Sequence, residues 1–416
     1  MRNLNLFAGF PYLTPSPGRE GRSLAPQLGT SRDLERNRRI AKVPNTTYHL
    51  LAELEPFSEF YGGAISRWAG NVLRNDSNSV VVCPSADDTW KFPPESILSL
   101  SGLKRYTHLR RYFSRLWPLH HALIRHIFRP ILKRVRPGDI VWIHNRPQYA
   151  VALTRRVHRA GGRVVLHLQN SHLVQGPERL MRQVQVDRMI FISEFLLEEA
   201  QRKFPTLGAS SVLYSGADET IFYPAAGGRR NAETPIVLFV GRLVQDKGVH
   251  ILLDALKLLE EQGVKVRAKI VGSSGYGAGK ETDYTRRLKE GAPATVEFLP
   301  YSSGAALGDL FREADIFCSP SIWEEPFGLV NVEALASGLP IVSTRGGGVT
   351  EILSTGGGIL VERGSVVELA CALRRLAEDP QLRTRLGQQG HAAFRERFTW
   401  SIARTRVQEI QKMLSV

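Results

Sequence analysis

The stretch PIVLFVGRLVQDKGVHILLDALKLLEEQG, residues 235–263, decides the fold. An unbroken apolar run from Pro235 to Val240 has the length of a strand buried on both faces. Gly241 ends it, a short polar loop follows, and the segment from Val249 then changes to helical spacing. Leu252, Leu253, Leu256 and Leu259 share one face, and Gly263 supplies the stop. Strand, tight loop and amphipathic helix in that order form one step of an alternating α/β domain.

Working outward, RAKIVG (267–272), DIFCSP (315–320) and LPIVST (339–344) read as further strands on the C-terminal side. On the N-terminal side the same alternation runs through YHLLAEL (48–54), VVVC (80–83), IVWIH (140–144), RVVLHL (163–168), RMIFIS (188–193) and SVLYS (211–215). A polar patch, AAGGRRNAETP (225–235), separates the two series. The expected class is therefore α/β, with two Rossmann-like domains over 47–225 and 232–395. Their parallel sheets should face across a cleft, since open sheets of this kind bind ligands beyond their strand C-termini. Residues 1–46, rich in Arg, Pro, Gly and Ser, read as a loosely ordered basic extension.

A chain of 416 residues suits two hydrophobic cores better than one, and 43% hydrophobic with 23% charged residues is ordinary for a globular protein. Cys83, Cys318 and Cys371 have no metal or redox spacing and read as small buried residues of a reducing compartment. No apolar run has the length of a membrane span, so the expected location is cytoplasmic, with attachment to the inner membrane face left open. The net charge of +15 is uneven. Residues 1–230 hold 33 Lys and Arg against 18 Asp and Glu, while the remainder is balanced. The positive field thus acts through the N-terminal half.

Three C-terminal segments carry chemistry. In GRLVQDKG (241–248), Gly241 allows a tight turn, while Arg242 and Lys247 bring two cations to a helix start, a setting suited to a diphosphate. In EEPFGLVNVEALASG (324–338) a helix is expected from near Phe327. Eight residues at about 100° each would return Glu333 to within roughly 80° of Glu325. Glu333 sits among apolar neighbours, where a carboxylate needs a partner: either a neighbouring Arg or amide, or ligand hydroxyls. In IVSTRGGGVTEI (341–352), Gly346, Gly347 and Gly348 admit close approach of an anion or sugar, or form a simple turn. Asp87-Asp88 is not a D-x-D motif, and no carboxylates or histidines cluster at ligand spacing, so neither metal nor cofactor is expected.

Together these segments resemble the donor domain of the family 4 glycosyltransferases, retaining enzymes of GT-B fold. The likeness covers about 236–400. It rests on Gly241, Arg242, Lys247 and Gly248, on PSIWEEPFGLVNVEALASGLP with Glu325 and Glu333 as its E-x7-E pair, and on Gly347, Gly348 and Glu351. The resemblance implies that Arg242 and Lys247 bind the donor diphosphate and that Glu333 binds the ribose. It implies that Glu325 contacts the donor sugar, with the amides of Phe327, Gly328 and Leu329 against sugar and phosphate. YGGAISR (61–67) resembles the loop that such enzymes place by the donor phosphates, which adds Gly62 and Gly63. Where the family commonly has a His beside the reacting carbon, alignment puts Gln169, between His167 and His172, and His172 is the pick. Residues 396–416 would form the terminal helix that crosses back to the N-terminal domain.

The implied function is transfer of a sugar from a nucleotide-diphosphate sugar to a hydroxyl acceptor with retention, as in polysaccharide biosynthesis. The nucleotide sugar acts as co-substrate. Between Lys104 and Arg136 lie ten Lys and Arg, no Asp or Glu, and Leu116, Leu119, Leu123, Ile127, Ile131 and Val135 at helical spacing. That segment reads either as a helix with a wet basic side or as a contact with anionic lipid, which would suit a lipid-linked glycan acceptor. Nucleic acid is disfavoured because no recognised motif accompanies the charge. Rival readings are a sugar-nucleotide epimerase or phosphorylase of the same fold, and a non-enzymatic binding protein acting through 104–136.

Overall fold

A computed structural model describes residues 45–59, 63–113, 117–171, 178–226, 233–275 and 281–415. The extension expected at 1–46 falls almost wholly outside them. The chain forms two compact units, dividing between Asp218 and Glu219 and again between Glu396 and Arg397.

The first unit is built on a seven-stranded parallel sheet in the order β3-β2-β1-β4-β5-β6-β7. Its strands are β1 Thr47–Leu50, β2 Ser79–Cys83, β3 Ile97–Ser99, β4 Ile140–His144, β5 Arg163–Leu168, β6 Arg188–Phe191 and β7 Ser210–Val212. On one face Val81, Trp142, Val165 and Ile190 pack with Trp68, Ala69 and Val72 of the helix Ala64–Val72. The same core takes Ala403, Val407 and Ile410 from the C-terminal helix Trp400–Leu414. Arg404 of that helix donates to the carbonyls of Asn71 and Val72.

The second unit holds a six-stranded parallel sheet ordered β10-β9-β8-β11-β12-β13. Its strands are β8 Ile236–Val240, β9 Arg267–Val271, β10 Val296–Leu299, β11 Ile316–Ser319, β12 Ile341–Thr344 and β13 Gly358–Val361. The helix Val249–Glu261 buries Leu252, Leu253, Leu256 and Leu259, the face its spacing predicts. In both sheets the first strand is flanked by the second and the fourth. The connections therefore run in opposite directions from the gaps β1/β4 and β8/β11, which are the switch points where such sheets leave a crevice.

Several local expectations need correcting. β1 ends at Leu50 rather than reaching residue 54. The following chain turns away and Glu53 becomes a buried ion-pair partner. The helix expected from Phe327 begins at Leu329, because Gly328 adopts φ 92° and serves as its N-cap. Glu325 therefore lies outside that helix, and the angular argument linking it to Glu333 does not apply. The basic segment is three helices, Gly102–Phe113, Trp117–Ile127 and Arg129–Leu132. Its buried side is made by His120, Ile124, Ile127 and Ile131, while Leu119 is 52% exposed. Cys371, expected inside, is exposed on the helix Val366–Glu378. β3, β10 and β13 are short strands whose sequences lack a distinct signal.

Candidate functional site

In the second unit the loops after β8 and β11 meet at the switch point. After β8, the chain passes through Gly241 and Arg242 to a single 3-10 turn, Gln245–Lys247, and then Gly248 at φ 68°. A Cβ on Gly248 would lie 1.9 Å from the Pro320 carbonyl oxygen, so only glycine lets the two loops touch. The Ile322 amide donates to the Asp246 carbonyl at 2.9 Å and ties them together.

This junction orders the charged groups. The Lys247 ammonium pairs with Glu325 Oε1, and the Ser321 hydroxyl donates to the same oxygen at 2.7 Å. Lys247 Nζ also stands 5.6 Å from the centre of the Trp323 ring. With Lys247 a fifth exposed and Glu325 nearly buried, both charges are largely withdrawn from water yet reachable from one side. Such a pair has a partner in the free protein and can exchange it for a ligand. Ser321 and Trp323 were not singled out in the sequence. Their signal was available in the spacing, since Ser321 and Trp323 precede Glu325 by four and two residues.

The third loop, after β12, closes on the second. Gly347, at φ 58°, brings its Cα so near that a Cβ would sit 2.1 Å from the Glu325 carbonyl oxygen. The Gly348 amide donates to that oxygen at 2.8 Å. The triple glycine is thus used for contact with the backbone of 325–327, where the sequence suggested close approach of an anion or sugar. Phe327 is buried, Gly328 leads into Leu329, and Glu333 lies one turn later, 4% exposed and partnered. Arg242, half-buried just after β8, also has a partner. The structure therefore joins Lys247 to Glu325, with Gly241 and Arg242 on the loop after β8, Phe327 and Gly328 on the loop after β11, and Leu329 and Glu333 on the helix that follows it.

In the first unit the loop after β1 carries one buried acid, Glu53, and one half-buried acid, Glu55. Glu53 Oε2 accepts from Arg146 Nε at 2.6 Å and from the Tyr149 hydroxyl at 2.9 Å. Burial and the Glu53 charge push the Tyr149 phenol well up. Glu55 accepts from the Ser66 amide at 3.1 Å, at the start of the helix Ala64–Val72, and burial raises its pKa. Gly63 is the N-cap of that helix, and a Cβ there would meet Glu55 Oε1 at 2.6 Å. The Glu55 carboxylate thus lies at the start of the helix that follows the glycine loop. Gly62 and His172 lie outside the described residues. His167 is fully buried, edge-on to Trp68 and Trp142, and burial holds its imidazole well below the usual range. Gln169 follows β5 at the sheet edge, half-buried. Among the described residues no group of three His, Cys, Asp or Glu could hold a metal ion.

The sheets, their switch points and the comparisons agree on the GT-B fold. Residues 226–393 match the family model described as glycosyl transferases group 1. The chain is 32% identical over 215 residues to a D-inositol 3-phosphate glycosyltransferase of Corynebacterium kroppenstedtii, covering 48% of this chain and 47% of that protein. It is 26% identical over 349 residues to a GDP-mannose-dependent monoacylated alpha-(1-6)-phosphatidylinositol monomannoside mannosyltransferase of Corynebacterium glutamicum, covering 76% and 90%. The crystal structure of Anabaena Alr3699/HepE with UDP and glucose superimposes with a TM-score of 0.64 at 21% identity, over 88% of this chain and 99% of that one. These findings support an enzyme of the glycosyltransferase type.

Proposed function

We propose that this chain is a retaining glycosyltransferase of family 4 that moves a hexose-type sugar from a nucleotide-diphosphate sugar to a hydroxyl acceptor. The observation that carries the reading is the junction of the β8 and β11 loops, where Lys247, Ser321 and Glu325 meet and Arg242 and Glu333 stand on the same loops and the next helix.

The chemistry follows from where charge develops. As the anomeric bond lengthens, the nucleotide diphosphate gains negative charge, and fixed cations stabilise that gain more than they stabilise the bound donor. Arg242 and Lys247 would supply the cations, and the amides of 327–329 would add dipoles beside them. Arriving phosphate takes Lys247 from Glu325, which frees the carboxylate for hydroxyls of the sugar. Glu333 would hold the ribose. The Anabaena structure holds UDP and the Corynebacterium glutamicum mannosyltransferase is GDP-mannose-dependent, so either base is a candidate here.

On the acceptor side we assign the first unit, with an anionic membrane as its platform and a lipid-linked glycan as the acceptor class. Leu109 and Leu119 stand exposed on the same basic segment as Lys104, Arg105, Arg129 and Lys133, which are exposed too. A segment that exposes both apolar side chains and cations suits the headgroup region of anionic lipid. No helix among the described residues is long and apolar enough to cross a membrane.

Incubation with UDP- and GDP-sugars and lipid-extract acceptors, with the anomeric coupling of the product read by proton NMR, tests the reaction. Transfer with the donor's configuration kept is the expected result. An inverted product would refute retention, and no consumption of any donor would refute the activity.

A further inference from the structure

Three histidines lie on one face of the first unit's sheet with no exposure to solvent: His49 on β1, His144 on β4 and His167 on β5. Trp68 lies against all three rings, tilted to His49 and His144 and edge-on to His167, at centroid distances of 6.1, 5.0 and 5.1 Å. Imidazoles are uncommon in such a core, because each has a donor and an acceptor to satisfy. Two of them are linked in a single chain that crosses the sheet. The Ser79 hydroxyl donates to Asp76 Oδ2 at 2.7 Å. Ser79 Oγ meets His49 Nε2 at 3.3 Å, and His49 Nδ1 meets His144 Nε2 at 3.3 Å. His144 Nδ1 lies 3.4 Å from the Gln169 amide nitrogen, which also reaches His167 Nδ1 at 3.5 Å.

The direction of this chain is fixed from its outer end. A carboxylate accepts only, so the single Ser79 proton goes to Asp76. Ser79 Oγ must then accept from His49 Nε2–H, which leaves His49 Nδ1 bare. His49 Nδ1 therefore accepts from His144 Nε2–H, and His144 Nδ1 must accept from Gln169. Gln411 Nε2, which donates to Thr47 Oγ1 at 3.1 Å and reaches Ser79 Oγ at 3.5 Å, enforces the same direction. Burial holds both linked imidazoles well below the usual range, so each carries one proton. The Gln169 backbone is pinned separately, its amide donating to Asn145 Oδ1 at 2.7 Å.

We propose that Asp76, Ser79, His49 and His144 form a directional hydrogen-bond relay that orients the Gln169 carboxamide, nitrogen toward the core and oxygen outward, to accept a hydroxyl of the sugar substrate. Among the described residues no donor meets that oxygen. It sits just beyond the C-terminus of β5, at the edge where parallel sheets present ligand contacts. The substrate half of this proposal rests on the glycosyltransferase reading, whereas the relay itself does not. The four relay members are positioning residues: reversal of any link would turn an N–H toward the substrate where an oxygen should be. A site that must accept a hydroxyl proton loses most when its acceptor is replaced by a donor.

The relay is tested on the unaltered protein by nitrogen-15 NMR of labelled histidines at neutral pH. His49 and His144 are expected with protonated Nε2 and bare Nδ1, and a His144 protonated on Nδ1 would overturn the proposal. Kinetics supply the second arm. Ser79→Ala is expected to lower kcat about 3- to 10-fold with the donor KM unchanged, Ser79→Thr to restore it, and Gln169→Leu to cost at least about 10-fold. Wild-type kcat in Ser79→Ala or in Gln169→Leu overturns the positioning role. A wild-type protein without any turnover would count against the glycosyltransferase reading instead, and the tautomers alone would then decide the relay.

Discussion

Glu333 is 4% exposed and stands on a short helix among Val332, Ala334 and Leu335, all of them buried. A carboxylate there is tolerable only with hydrogen-bond partners, and ligand hydroxyls would add to those it has. Losing a charge-assisted hydrogen bond costs about 1.5–3 kcal/mol, so Glu333→Ala should lower kcat/KM for the donor roughly 10- to 150-fold. Steady-state kinetics on a variant of unchanged circular dichroism would show this, and wild-type donor kinetics would remove Glu333 from the site. At this scale the sequence was informative about Lys247, Glu325 and Glu333, since charged residues beside glycines at strand ends need a reason. It was uninformative about Glu53 and Glu55. Nothing in LAELEPF marks Glu53 for burial or Glu55 for a helix start, because their partners Arg146, Tyr149 and Ser66 lie 11 to 96 residues away.

Among the elements, the basic segment separates periodicity from burial. Of the stripe Leu116, Leu119, Leu123, Ile127, Ile131 and Val135, the last three are buried as the spacing predicts, yet the packed side also takes in His120 and Ile124 and leaves Leu119 out. His120 is accepted inside because the Tyr106 hydroxyl lies 2.6 Å from its Nε2. Leu119, left outside at 52% exposure, has no folding role to lose. Leu119→Asp should therefore keep the melting temperature within a degree or two while reducing co-sedimentation with phosphatidylglycerol vesicles at low salt. Equal sedimentation of the two proteins, or none by the wild type, would dismiss the membrane contact. The glycine-rich turns behave similarly. Their positions were plain, but the partner of Gly347 is backbone at Glu325, which only the fold brings within reach.

For the molecule as a whole, the buried imidazoles tie stability to pH. Burial lowers His49 to about 3 and holds His144 and His167 well below the usual value. Between about pH 6.5 and 3 the unfolded chain binds protons that the folded chain refuses. Each histidine therefore contributes stability that is full above about 6.5 and declines as pH falls, by up to about 1.4 kcal/mol per pH unit. Glu55 and Asp139, raised by burial, act in the opposite sense as pH rises above the ordinary carboxylate range. The clean comparison is therefore a variant: His49→Gln should flatten the fall of the urea midpoint between pH 7 and 5. An unchanged slope would contradict the burial of a neutral His49.

The amino-acid sequence alone determined two α/β halves, the strand–loop–helix step at 235–263, and the cations and acids of the donor side. Those features are local, written in the spacing of apolar residues, glycines and charges within some thirty positions. The tertiary structure alone decided which loops meet at the β8/β11 gap, that Lys247 faces Glu325, that Glu55 occupies a helix start, and that histidines from three strands surround one tryptophan. Such pairings join residues far apart in the chain, and they are set by sheet order and by the demand that every buried polar group find a partner.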